Sequence, residues 1–154
     1  MDDKLKDAHF SEMKRDPMSL KHVPFIDHLG VVIDFMEPGK AILSLDPRPE
    51  HMNSWGAVHG GVIMTLLDIA MAISGRAHDP VNLSGVTVDM SVSFISPGKG
   101  KQIVTGYVIA QSSTLWRCEG DVRNASNQAL VAKSIGTFKF KNLANTSKRP
   151  VGDA

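Results

Sequence analysis

An α+β fold, an antiparallel sheet of about six strands wrapped around one long central helix, is predicted by three features of the sequence. The first is an apolar run from Val62 to Gly75. In it Val62, Ile63, Met64, Leu66, Leu67, Ile69, Ala70, Met71 and Ile73 occupy nearly every angular position of a helix. A helix apolar on all sides is expected in the interior, with other elements wrapped around it. The second is the alternation of Val86, Val88, Met90, Val92 and Phe94 with Thr87, Asp89, Ser91 and Ser93, the period of a half-buried strand. The third is order: β-rich segments lie on both sides of the helix and are joined by short Gly- and Pro-containing turns.

Residues 1–24 are polar, with Phe10, Met13, Leu20 and Val23 as scattered apolar points, and are expected to form a short amphipathic helix against the body. Leu29 to Phe35 favours a strand through its branched and aromatic side chains. Glu37-Pro38-Gly39-Lys40 reads as a turn, because Pro presets φ and Gly accepts positive φ. Ala41 to Leu45 returns as a strand, and Asp46 to Gly56 is a loop. Beyond the helix and the alternating strand, Pro97-Gly98-Lys99-Gly100 turns the chain into a strand over Gln102 to Ala110. Ser112-Ser113 marks a connection. Leu115 to Arg123 follows with Trp116, Cys118 and Val122 on one face, then a turn at Asn124 to Gln128 and a last strand over Leu130 to Phe140. The main domain is thus placed at 25–141, and the tail over 142–154 has no periodicity.

The chain of 154 residues suits one domain, and 42% apolar with 21% charged residues is ordinary for a protein with a real core. Seventeen basic and sixteen acidic side chains nearly cancel, which argues against nucleic acid or membrane as a partner. A single cysteine, Cys118, allows no internal disulfide and no paired-cysteine metal site. The first ten residues lack the apolar core of a signal peptide, and the apolar run is too short to cross a bilayer. A soluble cytoplasmic protein is expected, with no cofactor and no metal.

The segment His51 to Asp68, HMNSWGAVHGGVIMTLLD, concentrates the candidate chemistry. His59-Gly60-Gly61 stands at the start of the helix, where the first N–H groups have no internal partner and the dipole is positive. Glycine there lets a ligand reach the backbone, so Gly60 and Gly61 suit an oxyanion site, or simply a tight entry to the helix. Asp68 sits among Leu66, Leu67, Ile69 and Ala70, and an unpaired carboxylate in such a place costs several kcal/mol. It is a catalytic carboxylate or a structural Asp bonded to a loop. Asn53 either holds water and substrate or closes its own turn, and His59 is a base, a ligand or a helix-entry cap. No second histidine at ligand spacing accompanies His59. Gly60 and Asp68 are eight residues apart, roughly 12 Å along a helix axis. One small carbonyl cannot touch both in one chain, whereas two antiparallel copies of the helix would bring each Gly60 near the other's Asp68.

Asn53, His59-Gly60-Gly61 and Thr65-Leu66-Leu67-Asp68, followed by Gly85-Val86-Thr87-Val88-Asp89-Met90-Ser91 and Phe94-x-x-Pro97, resemble the PaaI-type hotdog-fold acyl-CoA thioesterases. The resemblance covers about residues 25–140. It implies a hotdog fold, hydrolysis of an aryl- or medium- to long-chain acyl-CoA, and a homodimer or homotetramer with sites shared between subunits. By position it implies Asp68 as general base on water or as nucleophile, and Gly60 as the N–H that polarises the thioester carbonyl. It further implies Asn53 as the group that places water or substrate, His59 as support for that loop, and Thr87 as a hydroxyl near the reacting centre. Gly61, Met64, Ser112, Ser113 and Lys99 are the candidate substrate contacts, with Met64, Met71 and Phe94 along the acyl path. Ser96 stands where relatives often have a basic residue, and Gln111-Ser112-Ser113-Thr114 where many have a glycine. Lys99, Lys101 and Arg117 are left as candidate phosphate partners. A hydratase or dehydratase using His59 with Asp68, and a non-catalytic acyl-CoA-binding protein, are the alternative readings.

Overall fold

Pro24 opens a six-residue helix, α1 (Pro24–Leu29), in a computed structural model that describes residues 23–142. The proline ring presets φ at a position whose N–H needs no partner. Gly30, left-handed at φ 74°, ends the helix by giving its N–H to the carbonyls of Ile26 and Asp27. Ile26 and Leu29, three residues apart, are its buried side. The strand expected from Leu29 is therefore shifted: Leu29 closes a helix, and β1 runs over Val32–Glu37. The helix expected within residues 1–24 and the tail beyond 142 lie outside the described residues.

Gly39, at φ 86°, makes the Pro38-Gly39 turn that returns the chain as β2 (Lys40–Leu45), with Glu37 paired to Lys40. The following loop contains one 3-10 turn, Pro49–His51. Next comes the long helix α2 (Gly60–Arg76), then β3 (Leu83–Phe94), β4 (Gln102–Gln111), β5 (Trp116–Asn124) and β6 (Leu130–Asn142). All six strands form one antiparallel sheet in the order β1-β2-β4-β5-β6-β3, so β1 and β3 are its edges.

α2 packs closely on the middle of the sheet because the strands beneath it lack side chains at the contact. Gly106 on β4 and Gly120 on β5 are register partners. A Cβ on Gly106 would lie 2.3 Å from the Ala70 carbonyl oxygen, and one on Gly120 would lie 3.1 Å from a Leu67 methyl. Ile63, Leu66, Leu67, Ala70, Met71 and Ile73 are buried in this contact. Met71, expected along an acyl path, is fully buried, and its side chain lies against the Gly120 and Gly136 positions.

The opposite side of α2 is open. Gly61 and Met64 are exposed, and Thr65, Asp68, Ala72 and Arg76 are half-buried, a stripe at three- and four-residue spacing. The sheet of this chain thus wraps one side of the helix, as a sheet packed around a central helix requires, and leaves this stripe uncovered.

β3 departs from its sequence pattern. Its register with β6 shifts between Thr87 and Asp89, a bulge that leaves Val88 unpaired. Thr87 pairs with Phe138 and Met90 with Gly136, both on the core side, so the bulge moves Thr87 onto the same face as Met90, Val92 and Phe94. Val86 and Val88, expected on that face, point away from the helix and are each 57% exposed.

Gly106→Ala is expected to destabilise the fold by about 3 kcal/mol, because the added methyl meets helix backbone that cannot rotate away. Chemical denaturation measures it, and a change under about 0.5 kcal/mol would show that α2 is not held at this contact.

Candidate active site

The loop before α2 is closed at its base and at its tip. Met52 and Val58 form an isolated antiparallel bridge, and His59 gives its N–H to the His51 carbonyl at 2.8 Å. At the tip, Asn53 Oδ1 accepts the N–H groups of Trp55 at 2.9 Å and Ala57 at 3.1 Å. The Asn53 carbonyl oxygen therefore closes its own turn, and its Nδ2 has no partner among the described residues. Val58 donates to the Gly98 carbonyl at 2.9 Å, which ties this loop to the one after β3.

His51 supports the loop from beneath. It is buried, and its Nδ1 accepts the Arg48 N–H at 3.1 Å. Burial first, and the Arg48 guanidinium second, hold it below the ordinary histidine range, against a smaller opposing pull from Glu50.

His59 caps α2. Its Nδ1 accepts the Gly61 N–H at 2.9 Å, while the Gly60 N–H, first in the helix, has no partner among the described residues. A Cβ on Gly60 would lie 3.5 Å from the Phe94 ring, so the peptide and the ring share one wall. Gly60 lines a cleft of about 560 Å³. Asn53, Trp55, Ala57, Val58 and Ile63 line one side, and Phe94 to Lys99 with Val131 line the other. The far side is held by two buried amides that the sequence reading missed. Asn124 Oδ1 accepts the Lys99 N–H at 2.7 Å and Gln102 Nε2 at 2.9 Å, and Asn124 Nδ2 donates to the Pro97 carbonyl at 3.2 Å.

Asp68 is not among the cleft residues. It stands on the open stripe of α2, and Thr87 donates its hydroxyl to Asp68 Oδ1 at 2.6 Å. The structure therefore places the predicted residues in two groups. Asn53, His59, Gly60 and Lys99 belong to the cleft and its loops, whereas Asp68 and Thr87 form a pair beside the edge strand. Gly61 and Met64 lie on the stripe between them. Ser112 and Ser113 are in the β4–β5 turn, where Ser112 Oγ bonds the backbone of Leu115. That turn is at the opposite end of β4 from Gln102, roughly 30 Å from the cleft end of the strand. Lys101 lies 4.0 Å from Asp46, and Arg117 donates to Thr137 at 2.9 Å, so of the three candidate phosphate partners Lys99 alone lines the cleft.

Other chemistries fit less well. His59 and Asp68 do not meet: each is bonded to a different neighbour. Cys118 is buried, and burial pushes its thiol up to about 11, so it does not supply a nucleophile.

Comparison with known proteins agrees with this architecture. Residues 56–131 match the thioesterase superfamily model. Human acyl-coenzyme A thioesterase 13 is 35% identical over 114 residues, which span 70% of this chain and 76% of the relative. The chain belongs to the thioesterase superfamily. Among solved structures of that superfamily, zebrafish thioesterase superfamily member 2 superposes with a TM-score of 0.70 at 26% identity, over 80% of this chain and 91% of the other. The Escherichia coli PaaI protein of the phenylacetic acid degradation operon superposes with a TM-score of 0.72 at 22% identity, over 80% and 88%, and shares the hotdog fold. In this superfamily member the matched segment contains Gly60, Asp68 and Thr87, while Asn53 lies just before it.

The His51 environment predicts a pH dependence of stability. The unfolded chain protonates this histidine near pH 6.5, whereas the folded chain resists until the pH is lower. The stabilisation is therefore complete above about pH 6.5 and is lost as the pH falls below it. His51→Asn, which keeps an acceptor for the Arg48 N–H, is expected to flatten the fall in unfolding temperature between about pH 7 and 5. Equal slopes in the two proteins would show that His51 does not titrate against folding.

Proposed function

We propose that this protein hydrolyses an acyl-CoA thioester in a site assembled from two copies of the chain. The observation that carries the reading is the division of the site. The Gly60 N–H has no partner among the described residues and Gly60 lines the cleft, whereas the Asp68 carboxylate is held by Thr87 about two turns further along the same helix. The thioester carbonyl docks on the Gly60 N–H, at the positive end of α2, where the developing oxyanion gains most. Asp68 of the partner subunit acts on the carbonyl carbon, as base for water or as nucleophile. Thr87 fixes the carboxylate rotamer. Thiolate is a good leaving group, so a single carboxylate suffices where an amide would also need a general acid. The free amide of Asn53 is available to the water or the carbonyl, and His59 keeps the Gly60–Gly61 turn in shape.

Two features support assembly into a dimer. β3 is a twelve-residue edge strand carrying exposed Val86, Val88 and Phe94, a long apolar edge of the kind that pairs with another strand. The stripe on α2 is likewise uncovered. A two-fold axis beside β3 pairs two such edges antiparallel and sets the helices side by side, the self-complementary contact of a closed dimer. The name of the human relative, an acyl-coenzyme A thioesterase, points to CoA as the carrier.

Thiol release from a panel of acyl-CoAs (phenylacetyl, hydroxybenzoyl and saturated chains of increasing length) tests the reading. Asp68→Asn is expected to lower kcat by about a thousandfold or more while circular dichroism and oligomeric state are unchanged. An active Asn variant would sink the mechanism. Thr87→Val is expected to cost roughly tenfold to a hundredfold in kcat, and Thr87→Ser to recover most of it. A mixed dimer of Asp68→Asn chains with Gly60→Pro chains, the latter lacking the N–H, is expected to regain one working site in two. Continued inactivity of the mixture would place both groups in the same chain.

A further inference from the structure

We infer that Trp55, together with Lys99, is the docking place for the phosphorylated adenosine end of coenzyme A. This takes its ligand from the thioester-hydrolase reading above. Trp55 is 90% exposed, whereas Trp116 is 6% exposed and packed against Phe140 and His78. An exposed indole offers a broad flat face on which an apolar or aromatic group can pack. The backbone that carries it is held. Asn53 Oδ1 accepts the Trp55 N–H, Gly56 reverses the chain at φ 71°, and the Gly56 N–H returns to the Asn53 carbonyl at 3.1 Å.

The cleft grades from inside to outside. Its inner wall is apolar and buried at Val58, Ile63 and Val131. Its exposed rim carries the indole of Trp55 and the side chain of Lys99. The Lys99 backbone is fixed by Asn124, and its ammonium has no partner among the described residues. An apolar slot with a flat aromatic face and a free cation at its mouth matches a ligand with an apolar inner part and a planar base with phosphates outside. An acyl chain makes no use of the cation, and inorganic phosphate makes no use of the indole. A phosphorylated nucleoside uses both, stacking its base on the indole and placing phosphate by the lysine.

Tryptophan emission reports the contact directly. Adenosine 3′,5′-bisphosphate is expected to quench the exposed-tryptophan emission of the wild-type oligomer and to leave Trp55→Phe, which retains Trp116, unchanged. In turnover, Trp55→Ala is expected to raise KM for acyl-CoA roughly tenfold with little change in kcat, and Trp55→Phe to recover most of the loss. The same acyl group on N-acetylcysteamine, which lacks the nucleotide, is expected to show a KM shift below about twofold. Equal losses on both substrates would overturn the inference by assigning the indole to the acyl group. So would dissociation of Trp55→Ala in sedimentation, which would assign it to a contact between copies. Quenching that persists in a protein releasing no thiol would leave this site standing and defeat the hydrolase reading alone.

Discussion

Gly106 brings β4 so close to the Ala70–Met71 peptide that a methyl there would lie 2.3 Å from a carbonyl oxygen, and the placing of both halves of the site depends on that contact. At Gly106 the strand meets the helix backbone without a side chain of its own between them, so α2 has little freedom to roll. Its buried stripe is fixed by Ile63, Leu66, Leu67, Ala70 and Met71. Once that stripe is fixed, the opposite one must carry Gly61, Met64, Thr65 and Asp68. The position of the carboxylate is thus a consequence of mainly apolar packing on the far side of the helix.

The same helix accounts for the division of labour. Gly60, whose N–H is the first in the helix, lines a cleft made by the loops before α2 and after β3, and the Asp68 carboxylate lies about two turns on. On the proposed mechanism, electrostatic assistance at the first point and attack at the second cannot converge on one carbonyl within a single chain. In the proposed dimer the edge strand beside Asp68 resolves this, since a long apolar edge is of the kind that pairs with another strand. Rigidity at the cleft comes from small polar closures, at Asn53, at His51 with Arg48, and at Asn124 with Gln102, each of which fixes a loop that the core does not reach.

Much of this was legible in the residues. The period of Val62 to Gly75 gives α2 within two residues at its start and one at its end, and the Pro38-Gly39 turn forms where its φ preferences require. The alternation of Trp116, Cys118 and Val122 gives the buried face of β5. Less was legible where a local rule was broken by one residue. Leu29 reads as strand by its neighbours, but Pro24 and Gly30 bracket a helix in which Ile26 and Leu29 share a side. Val86 and Val88 read as core by alternation, but the bulge at Val88 reverses the facing of everything before it. Nothing in the spacing of β-branched residues announces a bulge, since it is decided by pairing with β6. Ser112 and Ser113, read as substrate contacts by position in a family pattern, lie in the β4–β5 turn, where Ser112 bonds the Leu115 backbone, and a single chain does not show what meets that turn.

The sequence by itself determined the elements, their order and the separation of Gly60 from Asp68, because helix rise and strand period are properties of the local chain. Tertiary structure decided which side of α2 stays open, because that depends on where glycines lie in strands distant in sequence. It also decided the meeting of Thr87 with Asp68, nineteen residues apart and 2.6 Å from oxygen to oxygen. That contact needs the helix seated on the glycines and the strand turned over by its bulge, two conditions set by pairing partners that a reading along the chain does not contain.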